Sequence, residues 1–275
     1  MEQYKHYDRV LAVAGSDSGG GAGIQADIKA ISATGSYASS AVTAVTVQNT
    51  LGVSEVCPIP PYIVSAQIKA VLSDIGADAV KTGMLHSSAT IEAVADVLSE
   101  FRVRNIVADP VMVSTSGHRL MEEDAVSVMK SRLFPLARII TPNIPEAEIL
   151  SGSRIDSVAD MNRVARSLAV PERMSVLLKG GHMEGDTVCD VLFDAENDRL
   201  VEFRAEKVQT INTHGTGCTL SSALASFLAH RYTLVEAVRL SREYLREAIL
   251  SGSRYRIGSG HGPVNHFWKT ENQRF

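Results

Sequence analysis

The stretch "RVLAVAGSDSGGGAGIQADIKAISATG", residues 9 to 35, decides the fold. "RVLAVA" is an apolar run of strand length, bounded by a glycine-rich turn. The segment after it, "AGIQADIKAISATG", carries apolar residues at helical spacing and is closed by Gly35. The same alternation runs through most of the chain. "YASSAVTAVTVQNT" (37–50) is a second β-rich run. "ADAVKTG", "NIVADPVM", "ARIITPN" and "MSVLLKGG" predict further strands, separated by helices over 61–73, 88–100, 122–131 and 157–168. Apolar strands alternating with helices predict an α/β fold: a mainly parallel central sheet with helices on both faces. "TVCDVLFDAENDRLVEFRAEKVQT" departs from this rhythm. Its two alternating runs around "AENDR" predict an antiparallel hairpin. Two helices, "GCTLSSALASFLAH" and "LVEAVRLSREYLREAILSG", finish the chain. No repeat or linker interrupts residues 1–275, so a single domain is expected, with 37–47 partly apart as a small β lid.

The totals exclude several functions. Twenty-seven basic and 31 acidic residues give a net charge of −4 without long runs of either sign, which argues against nucleic acid or an anionic membrane as partner. No apolar run reaches the ~18 residues that span a bilayer. The N-terminus "MEQYKHYDRV" has no signal-peptide core. Cys57, Cys189 and Cys218 form no CxxC pair, so neither a disulfide framework nor a zinc site is expected and a cytoplasmic location is read. The eight histidines are scattered and are read as surface or structural. The chain lacks a Walker phosphate loop, a GxSxG elbow and an HExxH helix.

Ligands of open α/β sheets bind beyond the carboxyl ends of the strands. Asp17, Gln48, Asn49, Lys81, Asp109, Asn143, Glu146 and Lys179 sit in or just after strands. Gly21-x-Gly23-x-x-Ala26 satisfies the dinucleotide fingerprint formally. The next strand, however, ends in Gln48-Asn49 rather than in the carboxylate that would hold a ribose, so that reading fails. "NIPE" (143–146) reads either as a helix start or as hard oxygen ligands for Mg²⁺. "HGTGC" (214–218) opens an apolar, small-residue helix. The N–H groups of Gly215, Thr216 and Gly217 there can form an anion cradle. Cys218, beside the cradle, reads either as small filler or as a base whose pKa falls from about 8.5 at the helix start.

"AGSDSGGGAGIQADIKA", "AVTAVTVQNT", "KTGML", "DPVM", "ITPNIPEA", "LLKGGH", "NTHGTGCTLSSALA" and "GSGHGPVNHF" occur in this order across nearly the whole chain. Together they resemble the hydroxymethylpyrimidine/phosphomethylpyrimidine kinases of thiamine biosynthesis, a branch of the ribokinase-like superfamily. The resemblance implies a three-layer α/β fold with a small β hairpin region, a homodimer, ATP with Mg²⁺, and two phosphorylations. These convert 4-amino-5-hydroxymethyl-2-methylpyrimidine to its phosphate and then to the diphosphate. It implies Cys218 as base and Gln48 as the reader of the pyrimidine edge. Ala22, Met84 and Val111 become an apolar wall, and Gly15 and Asp27 lie near the substrate. Asp109, Asn143 and Glu146 handle Mg²⁺ and its waters, and Lys179 stands at the ATP phosphates. One departure is visible. The family's first loop often reads D-P-S-G-G-A-G, whereas Asp17-Ser18-Gly19-Gly20-Gly21-Ala22-Gly23 loses the proline and gains a glycine, which predicts a looser loop. Two alternatives accompany this reading: a pyridoxal or pyridoxine kinase, and a catalytically silent vitamin-binding protein.

Overall fold

The computed structural model describes residues 5–113, 120–122, 124–170, 173–181 and 185–270. Its centre is an eight-stranded sheet. In chain order the strands are β1 (Arg9–Ala14), β2 (Tyr37–Val42), β5 (Ala79–Thr82), β6 (Ile106–Ala108), β7 (Ile139–Ile140), β8 (Ser175–Leu178), β9 (Thr187–Asp194) and β10 (Arg199–Glu206). They lie in the order β10-β9-β8-β7-β6-β5-β1-β2. β2 through β8 pair parallel, and the β9–β10 hairpin is added antiparallel at one edge, with its turn at the predicted "AENDR".

Alternate residues of one strand explain the layers, because successive side chains leave opposite faces of a sheet. Val10 and Ala12 of β1 pack with Ile31 of α1 (Gly23–Ala33), Leu224 and Leu228 of α7 (Thr216–Ala229), and Val238 of α8 (Leu234–Gly252). Leu11 and Val13 face the other way. They meet Val64 and Ile68 of α2 (Pro61–Asp74), Ile91 and Leu98 of α3 (Ser88–Glu100), and the cluster that includes Met161 and Val164 of α6 (Val158–Leu168). Burial on both faces is why these strands read as continuous apolar runs rather than alternating ones.

Two expectations change in detail. The run 37–50 is not one strand. Thr43 breaks it between β2, which pairs with β1, and β3 (Ala44–Asn49), which leaves the sheet to pair antiparallel with β4 (Gly52–Pro58). The small lid is therefore β3–β4, and β4 escaped the sequence reading because Ser54 and Glu55 interrupt its apolar residues and none of the strand is buried. The helix read over 122–131 includes Glu123, which lies outside the described residues. Its described part is a short α4 (Ala125–Val128) that widens over Met129–Leu133 and tightens over Phe134–Leu136, where Pro135 ends regular helix. α5 (Ile144–Ser151) starts at "NIPE", as described next.

Candidate active site

The carboxyl ends of β1, β6, β7 and β8 and the N-terminus of α7 open on one cavity of about 960 Å³. Gly15, Ala22, Gln48, Met84, Asp109, Val111, Asn143, Glu146, Lys179 and Gly215 through Cys218 all line it. Asp27 does not.

The glycine turn is set by backbone conformation and by close approach. Gly215 has φ +81°, and a Cβ there would stand 1.8 Å from the Gly21 carbonyl oxygen, so no side chain fits between the turn and the first loop. α7 begins with no side-chain cap. Among the described residues, the Gly217 and Cys218 N–H groups meet no protein acceptor, which leaves donors at the positive end of a 14-residue helix. A Cβ on Gly217 would lie 3.4 Å from Lys179 Nζ and 3.7 Å from Asp109 Oδ2. Amides, ammonium and carboxylate thus converge on one space.

Asp109 accepts from Thr141 Oγ1 at 2.9 Å, Lys179 Nζ at 3.0 Å and Ser221 Oγ at 3.1 Å. Burial alone would raise its carboxyl, but the Lys179 and Lys81 ammonium groups hold it below the ordinary range. Asn143 and Glu146 form a reciprocal capping box at the start of α5: the Glu146 N–H donates to Asn143 Oδ1, and the Asn143 N–H donates to Glu146 Oε2. "NIPE" is therefore a helix start, and the capped Glu146 also lines the cavity. Burial pushes its carboxyl up to about 7, with Lys179 opposing and Asp109 adding to the rise. Among the described residues no three His, Cys, Asp or Glu side chains group into a metal cluster. Asp109 and Glu146 both line the cavity, and two such carboxylates could serve a hard cation that keeps phosphate oxygens and waters as its other ligands.

Cys218 corrects the sequence reading. It lines the cavity and is half-buried. Its pKa does not fall, however. Burial pushes the thiol up to about 11, and Lys81, which opposes the rise, does not overcome it. Asp27 and Asp109 add to the rise.

Asp27, expected near the substrate, is fully buried below the site. Its carboxylate takes Lys81 Nζ at 2.7 and 2.9 Å and Ser222 Oγ at 2.7 Å. Burial alone would push Lys81 down, but Asp27 holds its ammonium charged. Burial likewise pushes Asp27 up against the pull of Lys81. The two-point contact keeps the pair ionic. Asp27 is the counter-ion of Lys81 and does not line the cavity.

Sequence reasoning missed several residues. His214, read as surface or structural like the other histidines, lines the cavity with Nε2 2.8 Å from Asp17 Oδ2. Asp17 also accepts from the N–H groups of Gly19, Gly21 and Ala22, gathering the first loop around one carboxylate. Ser18 takes the place of the family's proline and clips the loop to β3: it donates to the Gln48 carbonyl at 2.7 Å and accepts the Gln48 N–H at 2.9 Å. Proline can do neither, so these bonds oppose the predicted loosening. The apolar wall is a small cluster of Ala44, Met84 and Leu120, with Val111 against it. The only available signal for His214 was its place directly before the glycine turn.

The model of phosphomethylpyrimidine kinases matches residues 17–265. The chain belongs to this family. It is 48% identical to the hydroxymethylpyrimidine/phosphomethylpyrimidine kinase of Rhizobium meliloti over 94% of this chain and 98% of that one. It is 51% identical to the thiamine biosynthesis bifunctional protein of Geobacter sulfurreducens over 96% of this chain, and spans 53% of that longer protein. Among solved structures, a pyridoxal kinase of Bacillus subtilis in an ADP complex aligns with a TM-score of 0.87 at 33% identity, covering 97% of this chain and 100% of that one. A phosphomethylpyrimidine kinase of Clostridium difficile aligns at 0.76 with 44% identity, covering 88% and 99%. The chain is thus a phosphotransferase of the family its motif order resembles, and the pyridoxal kinases share its fold at lower identity.

Two expected outcomes test these electrostatics. Lys81→Met strands a buried carboxylate and should cost about 3–5 kcal/mol in urea unfolding; a cost below about 1 kcal/mol would show that the pair is not ionic. Folded Glu146 holds its proton above the ordinary glutamate value of 4.5, so its contribution to stability is full below that value and is lost as pH rises to about 7. The stability of wild type relative to Glu146→Gln should fall across that window by up to about 1.4 kcal/mol per pH unit. A flat difference would place the carboxyl at its ordinary value.

Proposed function

We propose that this chain transfers the terminal phosphoryl group of ATP to the hydroxymethyl oxygen of 4-amino-5-hydroxymethyl-2-methylpyrimidine, and a second one to the phosphate so formed. The observation that carries this reading is the uncapped glycine turn, whose open N–H groups face Lys179 and Asp109 on one side and adjoin the Cys218 sulfur. In each transfer an acceptor oxygen bonds to the terminal phosphorus as the bond to ADP breaks. Charge then gathers on the phosphoryl oxygens, where fixed amides and Lys179 stabilise it without reorganising. Asp109 and Glu146, with Asn143 beside them, would hold Mg²⁺, which supplies further neutralisation of phosphate charge when bound. Ala205, Val208, Leu245 and Ile249 line the cavity among charged residues of the same segments, and such apolar surface suits a flat base. ADP and AMP-PCP occupy solved structures of Staphylococcus aureus pyridoxal kinase.

In the first step the alcohol proton passes to Cys218 as thiolate. Because burial raises this thiol, the thiolate is scarce at neutral pH. A loose transition state, in which the alcohol loses its proton late, tolerates that scarcity. Gln48 offers a donor and an acceptor to the adjacent ring nitrogen and amino group, while Ala22, Met84 and Val111 hold the ring and Gly15 lets backbone approach it.

The chain folds as one unit in this reading and works in the cytoplasm, where ATP is available; no described helix is long and apolar enough to cross a membrane. It pairs as a homodimer through the lid, whose outward Val45, Val47 and Leu51 are about half or more exposed. Light scattering should report twice the chain mass, and Val47→Asp should halve it; a wild-type monomer would overturn the pairing.

Purified protein with Mg·ATP should phosphorylate hydroxymethylpyrimidine with a higher kcat/KM than pyridoxine, and the absence of pyrimidine turnover would refute the assignment. Cys218→Ala should lower kcat by roughly 10²-fold or more. Wild-type kcat should climb between pH 7 and 9, a rise that Cys218→Asp shifts to lower pH. A pH-independent kcat in wild type would remove the thiolate from the mechanism.

A further inference from the structure

The carboxamide of Gln48 makes two contacts inside the protein, and neither fits its protons as it stands. Oε1 lies 3.2 Å from Thr46 Oγ1, and Nε2 lies 3.4 Å from His214 Nε2. A threonine hydroxyl has one proton, and Thr46 donates it to the Ser16 carbonyl at 2.8 Å. Toward Gln48, Thr46 therefore presents lone pairs, opposite another acceptor. His214 Nε2 lies 2.8 Å from Asp17 Oδ2. Burial would raise the Asp17 carboxyl, but the bonds from His214 and from the loop N–H groups hold it below the ordinary range, as an anion. A bare ring nitrogen at that distance from a carboxylate would be repelled, so Nε2 carries a proton directed at Asp17. Two donors then face each other between His214 and Gln48. Half a turn of the carboxamide about its last bond exchanges oxygen and nitrogen without changing the shape of the side chain. Both mismatches disappear: the Gln48 N–H donates to Thr46 Oγ1, and Oε1 faces the His214 N–H.

We propose that Thr46 and the Asp17–His214 pair hold Gln48 in this turned orientation, and that the orientation dictates which way round an aminopyrimidine lies in the cavity. The inference rests on the reading of Gln48 as the pyrimidine contact. The turned carboxamide keeps one free N–H on its Thr46 side and one free lone pair on its His214 side. A ring with an acceptor nitrogen beside an amino group answers these with the nitrogen toward Thr46 and the amino group toward His214. His214 directly precedes Gly215, so the amino side of the ring lies nearest the glycine turn and Cys218. In a 4-amino-5-hydroxymethylpyrimidine the hydroxymethyl carbon is attached beside the amino carbon, on the side away from that ring nitrogen. It is therefore carried toward the sulfur. The unturned carboxamide would reverse the ring and carry the alcohol away. Pyridoxine lacks the nitrogen–amino pair and cannot use this register. Thr46 and His214 are positioning residues, acting on the substrate through Gln48.

Thr46→Val keeps the shape and removes the lone pairs, whereas Thr46→Ser keeps them. Steady-state kinetics on hydroxymethylpyrimidine and pyridoxine should show kcat/KM for the pyrimidine about 10-fold lower in Thr46→Val and within about 3-fold of wild type in Thr46→Ser. KM for ATP should hold in both, and the preference for pyrimidine over pyridoxine should shrink. His214→Phe keeps a ring and removes the N–H, and should shrink the preference in the same direction, which covers the case that Thr46→Val does not fold. Equal losses on both substrates, or equal losses in the Val and Ser variants, would overturn the inference. Gln48→Ala separates it from its parent: an unchanged pyrimidine KM there refutes the reading of Gln48, whereas a raised KM with an unaffected Thr46→Val refutes only the orientation.

Discussion

The site depends on one steric constraint, the contact between the turn before α7 and the loop after β1. With Gly215 in the left-handed region and no room for a Cβ against the Gly21 carbonyl, the helix start can press directly onto that loop. This approach stands His214 beside Asp17. It also leaves the Gly217 and Cys218 amides open toward Lys179 and Asp109. A side chain at 215 would separate these groups, and a cradle loses its electrostatic advantage when its donors no longer aim at one point.

Around that contact the protein buries an alternation of charge. Asp27 and Lys81 pair below the site, and Lys179 pairs with Asp109 while also feeling the charge of Glu146. Lys179 and Lys81 hold the Asp109 carboxyl below the ordinary range, whereas burial lifts Glu146 to about 7 against the pull of Lys179. The sulfur, which has no such partner in contact, yields to burial and stays protonated in the resting protein. The same burial that makes amides and Lys179 effective against a phosphoryl group thus makes the neighbouring base costly to ionise. A reaction governed by positioning and charge, with proton loss coming late, tolerates this compromise.

The substrate end follows a different logic, one of directional hydrogen bonds. β3 leaves the main sheet, so Thr46 and Gln48, two residues apart and on one face, look inward over the first loop while Val45 and Val47 face out. Ser18 and Ser16 bind this strand to the loop. The likeness to pyridoxal kinases is intelligible on this plan. In the proposed reading the phosphate machinery belongs to the sheet and α7, part of the fold both groups share, whereas discrimination between flat rings falls to a few polar atoms on the two-stranded lid.

The sequence by itself determined the α/β alternation, the β9–β10 hairpin and the order of the motifs. Period-two and period-3.6 patterns, together with turn residues, act locally and survive without knowledge of the partner element. It also marked the glycine turn, because glycines before an apolar helix have a meaning within a few residues. Only the tertiary structure decided that Asp27 serves Lys81, that His214 belongs to the site, that the run 37–50 divides between two sheets, and that the Cys218 thiol is raised rather than lowered. Each of these depends on what lies across the fold: an ammonium 54 residues away from Asp27, a carboxylate 197 residues away from His214, and the burial of a sulfur by packed elements. Desolvation and long-range pairing arise when elements pack, and no spacing along the chain records them.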